Sequence, residues 1–286
     1  MIEHRFIQIR PDLRLHVAHG GAGRGPLVVL LHGFPECWYS WRHQLEPLLS
    51  AGFEVAAPDM RGYNTSDKPR GVSSYATPLL VEDVKALVHA LGHRDAHVVG
   101  HDWGGIVAWA AAALEPELVR SLTVLNAPHP RIFLREVARP RQLLRSWYMG
   151  LFLLPALPEL LVTRRRVIEQ GLRGSMVHPE RLTAADVDEY VRAVQQQGAA
   201  TAMLNYYRAG MRHRSTEVDV IRRPTLVLWG MRDQALGPWM LDGLDALVPQ
   251  LRLERLPDAG HCVQQDVPED VTRHLLAFLG ATPQRA

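Results

Sequence analysis

The chain has 286 residues and is 47% hydrophobic, which is enough to bury a substantial core and excludes a disordered protein. Its formal net charge is +2, so no general electrostatic field favours nucleic acid or an anionic membrane as a partner. The two cysteines, Cys37 and Cys262, form no CxxC pair, which argues against disulfides and structural zinc and favours a reducing, cytoplasmic location. We expect no secretory signal and no transmembrane span, because the N-terminus lacks an apolar h-region and no apolar stretch is long enough to cross a bilayer.

Strand and helix patterns alternate through the first half of the chain. Short apolar runs typical of buried strands lie at residues 27–31, 54–57, 96–99 and 121–125. Apolar residues at helical spacing lie at 78–91, before Gly92, and at 106–114. Such alternation predicts a mostly parallel sheet with helices on both of its faces.

The alternation of strand and helix patterns stops between residues 134 and 215, where no strand pattern is found. Helical patterns lie there at 143–154, 179–197 and 199–212. Strand patterns return at 225–229 and 251–256, and a closing helix is predicted at 267–279. The sequence therefore predicts an α/β core formed by residues 1–133 and 216–286, interrupted by a helical cap at 134–215.

One apolar piece of the predicted cap, residues 151–158, could be mistaken for a membrane-touching loop. It is short and is broken by Pro155 and Pro158. We interpret it as cap core or pocket wall, and no membrane partner is predicted.

The six residues Gly-His-Asp-Trp-Gly-Gly at 100–105 stand between a predicted strand and a predicted helix. A strand, a Gly-x-nucleophile-x-Gly turn and a helix form the nucleophile elbow of the α/β-hydrolases. The glycines are needed because the turn is so sharp that a Cβ would crowd the neighbouring backbone. The central residue is Asp102, and a carboxylate needs no base to attack a strained or activated sp3 carbon and form an alkyl ester.

Such an ester must then be hydrolysed, which requires a histidine base and a carboxylate that orients it. In α/β-hydrolases the chain order is nucleophile, acid, histidine. Asp233 follows the predicted strand 225–229, and His261 follows the strand 251–256, so both stand where open α/β sheets place their sites. Asp258 is a competing but weaker candidate for the acid.

Ester hydrolysis also builds a negative oxygen that two backbone N–H groups could stabilise. One candidate donor is Trp103, directly after the nucleophile. The other is Phe34, in the loop that follows the strand 27–31, where Pro35 has no N–H of its own. We expect His32 in the same loop to brace the loop rather than to move a proton.

Five motifs together carry a resemblance to a known family. They are His-Gly-Phe-Pro-Glu at 32–36, Trp-Tyr-Ser-Trp-Arg at 38–42, Asp-Met-Arg-Gly-Tyr at 59–63, Ser-Asp-Lys-Pro at 66–69 and the elbow at 100–105. Across nearly the whole core the chain resembles the epoxide hydrolase branch of the α/β-hydrolase family. Asn64 replaces a usual glycine, and Asn tolerates a positive φ better than most residues.

The resemblance implies two cap tyrosines that hydrogen-bond the epoxide oxygen. Tyr148 matches the first position of a Tyr-x-x-x-Phe-Gln segment in which Leu153 replaces Gln. Tyr207 matches a Leu-Asn-x-Tyr-Arg string and is preferred to its neighbour Tyr206. A phenol with a pKa of about 10 is neutral at pH 7 and can donate a proton as the C–O bond breaks.

The function implied is hydrolysis of a small apolar epoxide by water to a vicinal diol, with no cofactor and no metal; a homodimer is compatible with the sequence. One alternative is a haloalkane dehalogenase, for which Trp103 offers a halide donor but the Phe34 side chain does not. Another is a ligand sensor on a hydrolase scaffold, which the intact Asp102, Asp233 and His261 disfavour.

Overall fold

A computed structural model describes residues 1–212 and 218–282, in which eight strands form one sheet. The strands are β1 (Ile2–Arg10), β2 (Leu13–Gly20), β3 (Leu27–Leu31), β4 (Glu54–Pro58), β5 (Ala96–His101), β6 (Val119–Leu125), β7 (Thr225–Gly230) and β8 (Leu251–Leu256). Their order is β1-β2-β4-β3-β5-β6-β7-β8. β2 pairs antiparallel with β1 and β4, and every other neighbouring pair is parallel, which confirms the predicted mostly parallel sheet.

The core lies on both faces of this sheet because side chains alternate along each strand. On β3, Leu27, Val29 and Leu31 belong to one buried cluster, whereas Val28 and Leu30 belong to the other. The helices that cover the sheet are α1 (Arg42–Ser50), α2 (Thr77–Ala90), α3 (Trp103–Leu114), α11 (Leu244–Leu247), α12 (Val263–Asp266) and α13 (Pro268–Ala281). No helix of the described residues is both long and apolar enough to cross a membrane.

The two N-terminal strands are absent from the sequence-based prediction. β1 is an edge strand whose side chains are mostly exposed, so it carries no apolar run. β2 is buried but contains His16 and His19, whose rings bond the buried carboxylates of Asp59 and Glu54. A search for continuous apolar runs therefore misses both strands, although apolar and polar residues alternate at 13–17 in β2.

Between β6 and β7 the described residues form helices and add no strand to the sheet. The helices are α4 (Pro130–Glu136), α5 (Pro140–Leu143), α6 (Trp147–Phe152), α7 (Leu157–Val162), α8 (Arg165–Gly174), α9 (Ala184–Gln195) and α10 (Ala199–Arg212). The predicted boundary between residues 215 and 216 lies outside the described residues.

Two of the helices predicted in this segment have different bounds. The single helix predicted at 143–154 is instead the end of α5 and the separate α6, with residues 144–146 between them. The helix predicted at 179–197 begins only at Ala184, because Thr183 and Asp186 form a reciprocal capping box that fixes the start of α9. A short 3-10 turn, Pro179–Arg181, precedes it.

Candidate active site

Asp102 stands at the sharp turn between β5 and α3. Its φ of 49° and ψ of −118° are unusual for a residue with a side chain, and such strain is found at functional sites. A Cβ at Gly100 would lie 2.3 Å from the Gly104 carbonyl oxygen, and a Cβ at Gly104 would lie 2.2 Å from that of Leu31. Glycine is therefore required on both sides of Asp102, as the elbow motif predicts.

The two oxygens of the Asp102 carboxylate have different partners. Oδ1 accepts a hydrogen bond from the Phe34 backbone N–H at 2.9 Å, whereas Oδ2 lies 3.5 Å from His261 Nε2. Burial raises the pKa of the Asp102 carboxyl, but the hydrogen bond and charge of His261 outweigh burial and hold that pKa below its usual value. The carboxylate is therefore ionised and oriented.

Trp103 is the first residue of α3, so its backbone N–H has no acceptor within the helix. Together with Phe34, it flanks Asp102 at the N-terminal end of a helix, where negative charge is favoured. Both sequence-predicted N–H donors thus belong to residues beside the carboxylate.

His261 lies between two carboxylates. Its Nδ1 is 2.7 Å from Asp233 Oδ2, and its Nε2 faces Asp102. Burial lowers the pKa of the imidazole, but the charge of Asp233 and the bonds to both carboxylates raise it well above its usual value. The structure brings together the three residues that the sequence named.

Asp233 is buried and fully hydrogen-bonded. Its Oδ1 accepts from the backbone N–H groups of Ala235 at 2.7 Å and Leu236 at 2.9 Å, and its Oδ2 accepts from Asn126 Nδ2 at 2.7 Å. Burial raises the pKa of this carboxyl, but the charge of His261 and these bonds leave it below its usual value. By contrast, Asp258 is exposed and pairs with Arg232, away from His261.

Asn126 is a functional residue that sequence reasoning missed. It has a φ of 39° directly after β6, and besides Asp233 its amide bonds the backbone of Gly230, with Oδ1 accepting from the N–H at 2.8 Å. Asn126 therefore fixes both ends of the turn that carries the acid. An asparagine after a strand that neighbours the elbow strand is the signal that could have indicated it, because Asn tolerates a positive φ.

A second buried pair lies beneath His261. His101 Nδ1 is 2.9 Å from Glu36 Oε2, and His101 Nε2 donates to the His261 carbonyl oxygen at 3.0 Å. Burial raises the pKa of the Glu36 carboxyl, but the charge of His101 holds it below its usual value. The pair connects the loop of Phe34 to the loop of His261.

His32 and Asn64 have the roles in their loops that the sequence predicts, and both cysteines are free. His32 Nε2 accepts from the Met60 backbone N–H, and its Nδ1 bonds the Gly33 carbonyl oxygen, so His32 braces the loop. Asn64 has a φ of 41°, which confirms that the turn keeps its form without glycine. Cys37 and Cys262 are buried free thiols, and burial raises the pKa of both.

The two cap tyrosines face the elbow from different helices. Tyr148 lies on α6 and Tyr207 on α10, with their ring centroids 6.4 Å apart. Burial raises the pKa of both phenols, and the charge of Asp102 raises it further, so both are neutral donors. Tyr206 differs, because its hydroxyl donates to the Arg61 carbonyl oxygen at 2.8 Å.

An aromatic wall surrounds these phenols. The Tyr207 ring packs edge-on against Phe34 at 5.3 Å, Trp103 at 5.1 Å and Phe152 at 5.0 Å between centroids. The rings around Tyr207 therefore present mostly apolar surface beside the two hydroxyls. This environment suits a small apolar molecule with one hydrogen-bond acceptor.

Gln142 and Arg145 tie the cap to the loop of Asp233 and were also missed. Gln142 is buried; its Nε2 donates to the Ser146 hydroxyl at 2.9 Å and the Ala235 carbonyl at 2.7 Å. Its Oε1 accepts from the Gly237 N–H at 3.3 Å and the Trp239 indole N–H at 3.1 Å. Arg145 donates to the Asp233 carbonyl oxygen at 2.6 Å.

Among the described residues no group of three or more His, Cys, Asp or Glu side chains has the arrangement of a metal site.

Comparison with known proteins places this geometry in a family. A family model described as the alpha/beta hydrolase fold matches residues 26–268, and the chain therefore belongs to that family. It is 38% identical to the AB hydrolase superfamily protein YfhM of Bacillus subtilis, over 93% of this chain and 94% of that protein. It is 37% identical to epoxide hydrolase 3 of Xenopus tropicalis, over 97% of this chain and 78% of that protein.

Solved structures indicate the branch of the family to which this chain is similar. The Bacillus megaterium epoxide hydrolase, in complex with an inhibitor, superposes with a TM-score of 0.84 at 32% identity, covering 97% of this chain and all of that one. Epoxide Hydrolase A from Mycobacterium thermoresistibile gives 0.86 at 29% identity, with both chains fully covered. The epoxide hydrolase branch that the sequence motifs predict is confirmed.

Proposed function

We propose that this chain hydrolyses a small apolar epoxide to a vicinal diol through an alkyl ester on Asp102. The observation that carries the proposal is the placing of one ionised carboxylate between a hydrogen-bonded His261–Asp233 pair and two neutral phenols. The carboxylate supplies the attack, and the phenols supply the proton that an opening epoxide requires.

In the first step the oxygen that attacks is Oδ2, because Oδ1 is already bound by the Phe34 N–H. The C–O bond of the epoxide breaks as the new ester bond forms, and its oxygen takes a proton from Tyr148 or Tyr207. The aromatic wall excludes water from this step and strengthens both hydrogen bonds.

In the second step a water molecule attacks the Asp102 carboxyl carbon, and His261 takes the proton. Charge then develops on Oδ1, which the N–H groups of Phe34 and Trp103 stabilise. The bond between the carboxyl carbon and Oδ2 then breaks, and Oδ2 leaves as the second hydroxyl of the diol with the proton from His261. The proton left on the new carboxyl group restores the tyrosine that donated in the first step. Esterification removes one of the two negative charges that raise the pKa of His261, so the imidazole becomes a base only after alkylation. Asp233 keeps its Nδ1 proton in place.

We propose the same division of the chain that the sequence indicates: core at 1–133 and 216–286, cap at 134–215. The cap carries Tyr148 and Tyr207 on α6 and α10, and the core carries the other site residues. A cytoplasmic enzyme with buried free thiols, needing no cofactor and no metal, fits this scheme, and a homodimer stays a prediction that sedimentation tests.

The site residues do not favour either alternative function, the haloalkane dehalogenase or the ligand sensor. A dehalogenase needs several N–H donors for the departing halide, and the Phe34 side chain offers none beside Trp103. A ligand sensor would not require the hydrogen-bonded arrangement of Asp102, Asp233 and His261. Turnover of styrene oxide compared with a bromoalkane separates these functions, since faster turnover of the bromoalkane would favour the dehalogenase.

A single turnover in 18O-labelled water tests the covalent step. With enzyme in excess, we expect mostly unlabelled diol, because its new oxygen comes from Asp102. His261→Gln is expected to accumulate protein plus one substrate mass, localised to the peptide that bears Asp102. Fully labelled diol in the first turnover, with no adduct on His261→Gln, would mean that water attacks the epoxide directly.

A further inference from the structure

Exposed large hydrophobic side chains are concentrated in one segment of the proposed cap. Among the described residues, fifteen large hydrophobic side chains are exposed, and nine of them lie between residues 143 and 167. We call these nine the outer cap patch: Leu143, Leu144, Trp147, Leu153, Leu154, Leu157, Leu160, Leu161 and Val167. Exposed apolar residues concentrated in this way mark an interaction surface, whereas scattered ones need no explanation.

Part of the patch corrects a sequence-based expectation. The piece 151–158 was predicted to be cap core or pocket wall, but Leu153, Leu154 and Leu157 are exposed. The reason lies at the turn between α6 and α7, where Arg208 donates to the carbonyl oxygens of Phe152 and Leu154. These bonds hold the turn at the surface.

Helix α6 has two different apolar faces. Tyr148 and Phe152 pack toward the site, where Phe152 contacts Phe34 and Tyr207. Trp147 is 68% exposed on the same helix, and Leu144 just before it is 77% exposed. The outer side chains are thus not needed to build the pocket.

The segment around the patch is strongly basic. Residues 130–174 contain nine arginines, three glutamates, no lysine and no aspartate, a net charge of +6. Because the whole chain carries +2, the other residues together carry −4. Arg164 and Arg166 are exposed beside Leu160 and Leu161 and form no ion pair among the described residues.

We propose that the outer cap patch docks on an anionic lipid surface. Exposed leucines, a tryptophan and the exposed arginines Arg164 and Arg166 are the kinds of side chain by which a protein lies on such a surface. A second copy of this chain is disfavoured as occupant, because a two-fold contact would set one +6 segment against another. The low net charge of the whole chain concealed this patch, since charge is segregated between cap and core.

The proposal does not depend on the proposed activity. Docking through the outer face of α6 leaves the inner face, with Tyr148, turned toward Asp102. An apolar epoxide dissolved in the bilayer would then be released close to the cap.

Sedimentation of the full chain with vesicles, without substrate, tests the proposal. We expect binding to vesicles of phosphatidylcholine mixed with phosphatidylglycerol, little binding to phosphatidylcholine alone, and weaker binding as salt rises. Brominated lipids should quench the fluorescence of Trp147, and this quenching should be lost in Trp147→Phe.

Matched variants separate the apolar and charged contributions. Leu144→Ser with Trp147→Ser should weaken binding at least about tenfold, because two large apolar side chains are lost. Arg164→Glu with Arg166→Glu should weaken it by at least a similar factor. Phe6→Ser, and Arg24→Glu with Arg94→Glu, are controls at exposed positions outside the cap and should bind as wild type does.

Three results would overturn the proposal. The first is wild-type protein that does not bind anionic vesicles, and the second is patch variants that bind as well as the controls. The third is a concentration-dependent dimer in sedimentation that both patch variants disrupt, which would mean that a second copy covers the patch. Epoxide turnover in free solution is measured separately, so a failed vesicle assay leaves the proposed activity unaffected.

Discussion

The core side and the cap side of the site hold their chemistry in different ways. On the core side, Asp233, Asn126 and Glu36 are buried polar groups that are positioned by several directional hydrogen bonds each. On the cap side, Tyr148 and Tyr207 are positioned mainly by packing against aromatic rings. Charged groups need fixed partners in a low dielectric, whereas neutral donors can be held by shape alone.

This difference matches the order of the proposed steps. In the proposed mechanism the core holds the charge of Asp233 throughout the cycle, whereas Asp102 loses its charge on esterification and His261 alternates between two states. The cap must donate one proton and then let the product leave, which favours packing that can open. Substitutions on the core side and on the cap side should therefore slow different steps of the reaction, and by different factors.

The largest effect is expected from Asp233→Asn. An amide in place of this carboxylate no longer stabilises the imidazolium and favours the wrong His261 tautomer, so ester hydrolysis should slow on the order of 10⁴-fold. Alkylation should persist, and the alkyl-enzyme should accumulate in intact-mass spectra. Asp258→Asn, an exposed carboxylate on the neighbouring loop, is the control and should leave the rate unchanged; equal losses in both variants would reject Asp233 as the acid.

The cap tyrosines should affect the other step. Tyr148→Phe and Tyr207→Phe should each slow alkylation, and the double variant should nearly abolish it, by on the order of 10³-fold or more. Since the proposed mechanism has both phenols donate to one oxygen, the loss in the double variant should not be the simple product of the single losses. Tyr206→Phe is the matched control. Single and double variants that alkylate at the wild-type rate would make these tyrosines packing residues.

The buried His261 also predicts how stability changes with pH. Its pKa is higher in the folded than in the unfolded chain, so its stabilising contribution is complete below the unfolded value of about 6.5 and is lost as pH rises through the folded value. The free energy of unfolding of wild type, relative to His261→Gln, should therefore fall as pH rises from neutral into the alkaline range. Urea unfolding at a series of pH values measures this, and a difference that grows with pH would contradict the assigned charges.

Much of the fold was predictable because its central strands are short apolar runs. The strand 27–31 has the predicted bounds, and β5 extends only two residues beyond its prediction because Gly100 and His101 still pair with β6. β1 and β2 were not found in this way, because β1 is a mostly exposed edge strand and β2 alternates apolar and polar residues at 13–17 instead of forming an apolar run.

The candidate site likewise contains residues that the sequence indicates and residues that only the folded chain reveals. Asp102, Asp233 and His261 each follow a strand within a recognisable local motif, so the sequence names them directly. Asn126 and Gln142 have ordinary sequence surroundings, and their partners lie 107 and 93 residues away at Asp233 and Ala235. Only the folded chain shows that these amides serve the acid loop.

Gln142 offers a further test of the comparison, because its amide bonds the loop that follows the acid. Three of its four amide hydrogen bonds join α5 to the loop 235–239 that follows the acid, and the fourth reaches Ser146, directly before α6. Gln142→Leu leaves these buried and half-buried partners without a donor or acceptor, so the free energy of unfolding should fall by about 1–3 kcal/mol. Because Tyr148 lies on α6, alkylation should also slow by roughly tenfold, as a modest misplacement of a catalytic group would produce.

Gln195→Leu, which removes an exposed glutamine that bonds one carbonyl oxygen of the cap, is the matched control. Stopped-flow alkylation and urea unfolding measure the two effects. A loss of stability without slower alkylation would mean that packing alone positions Tyr148, and that the two sides of the site are held independently.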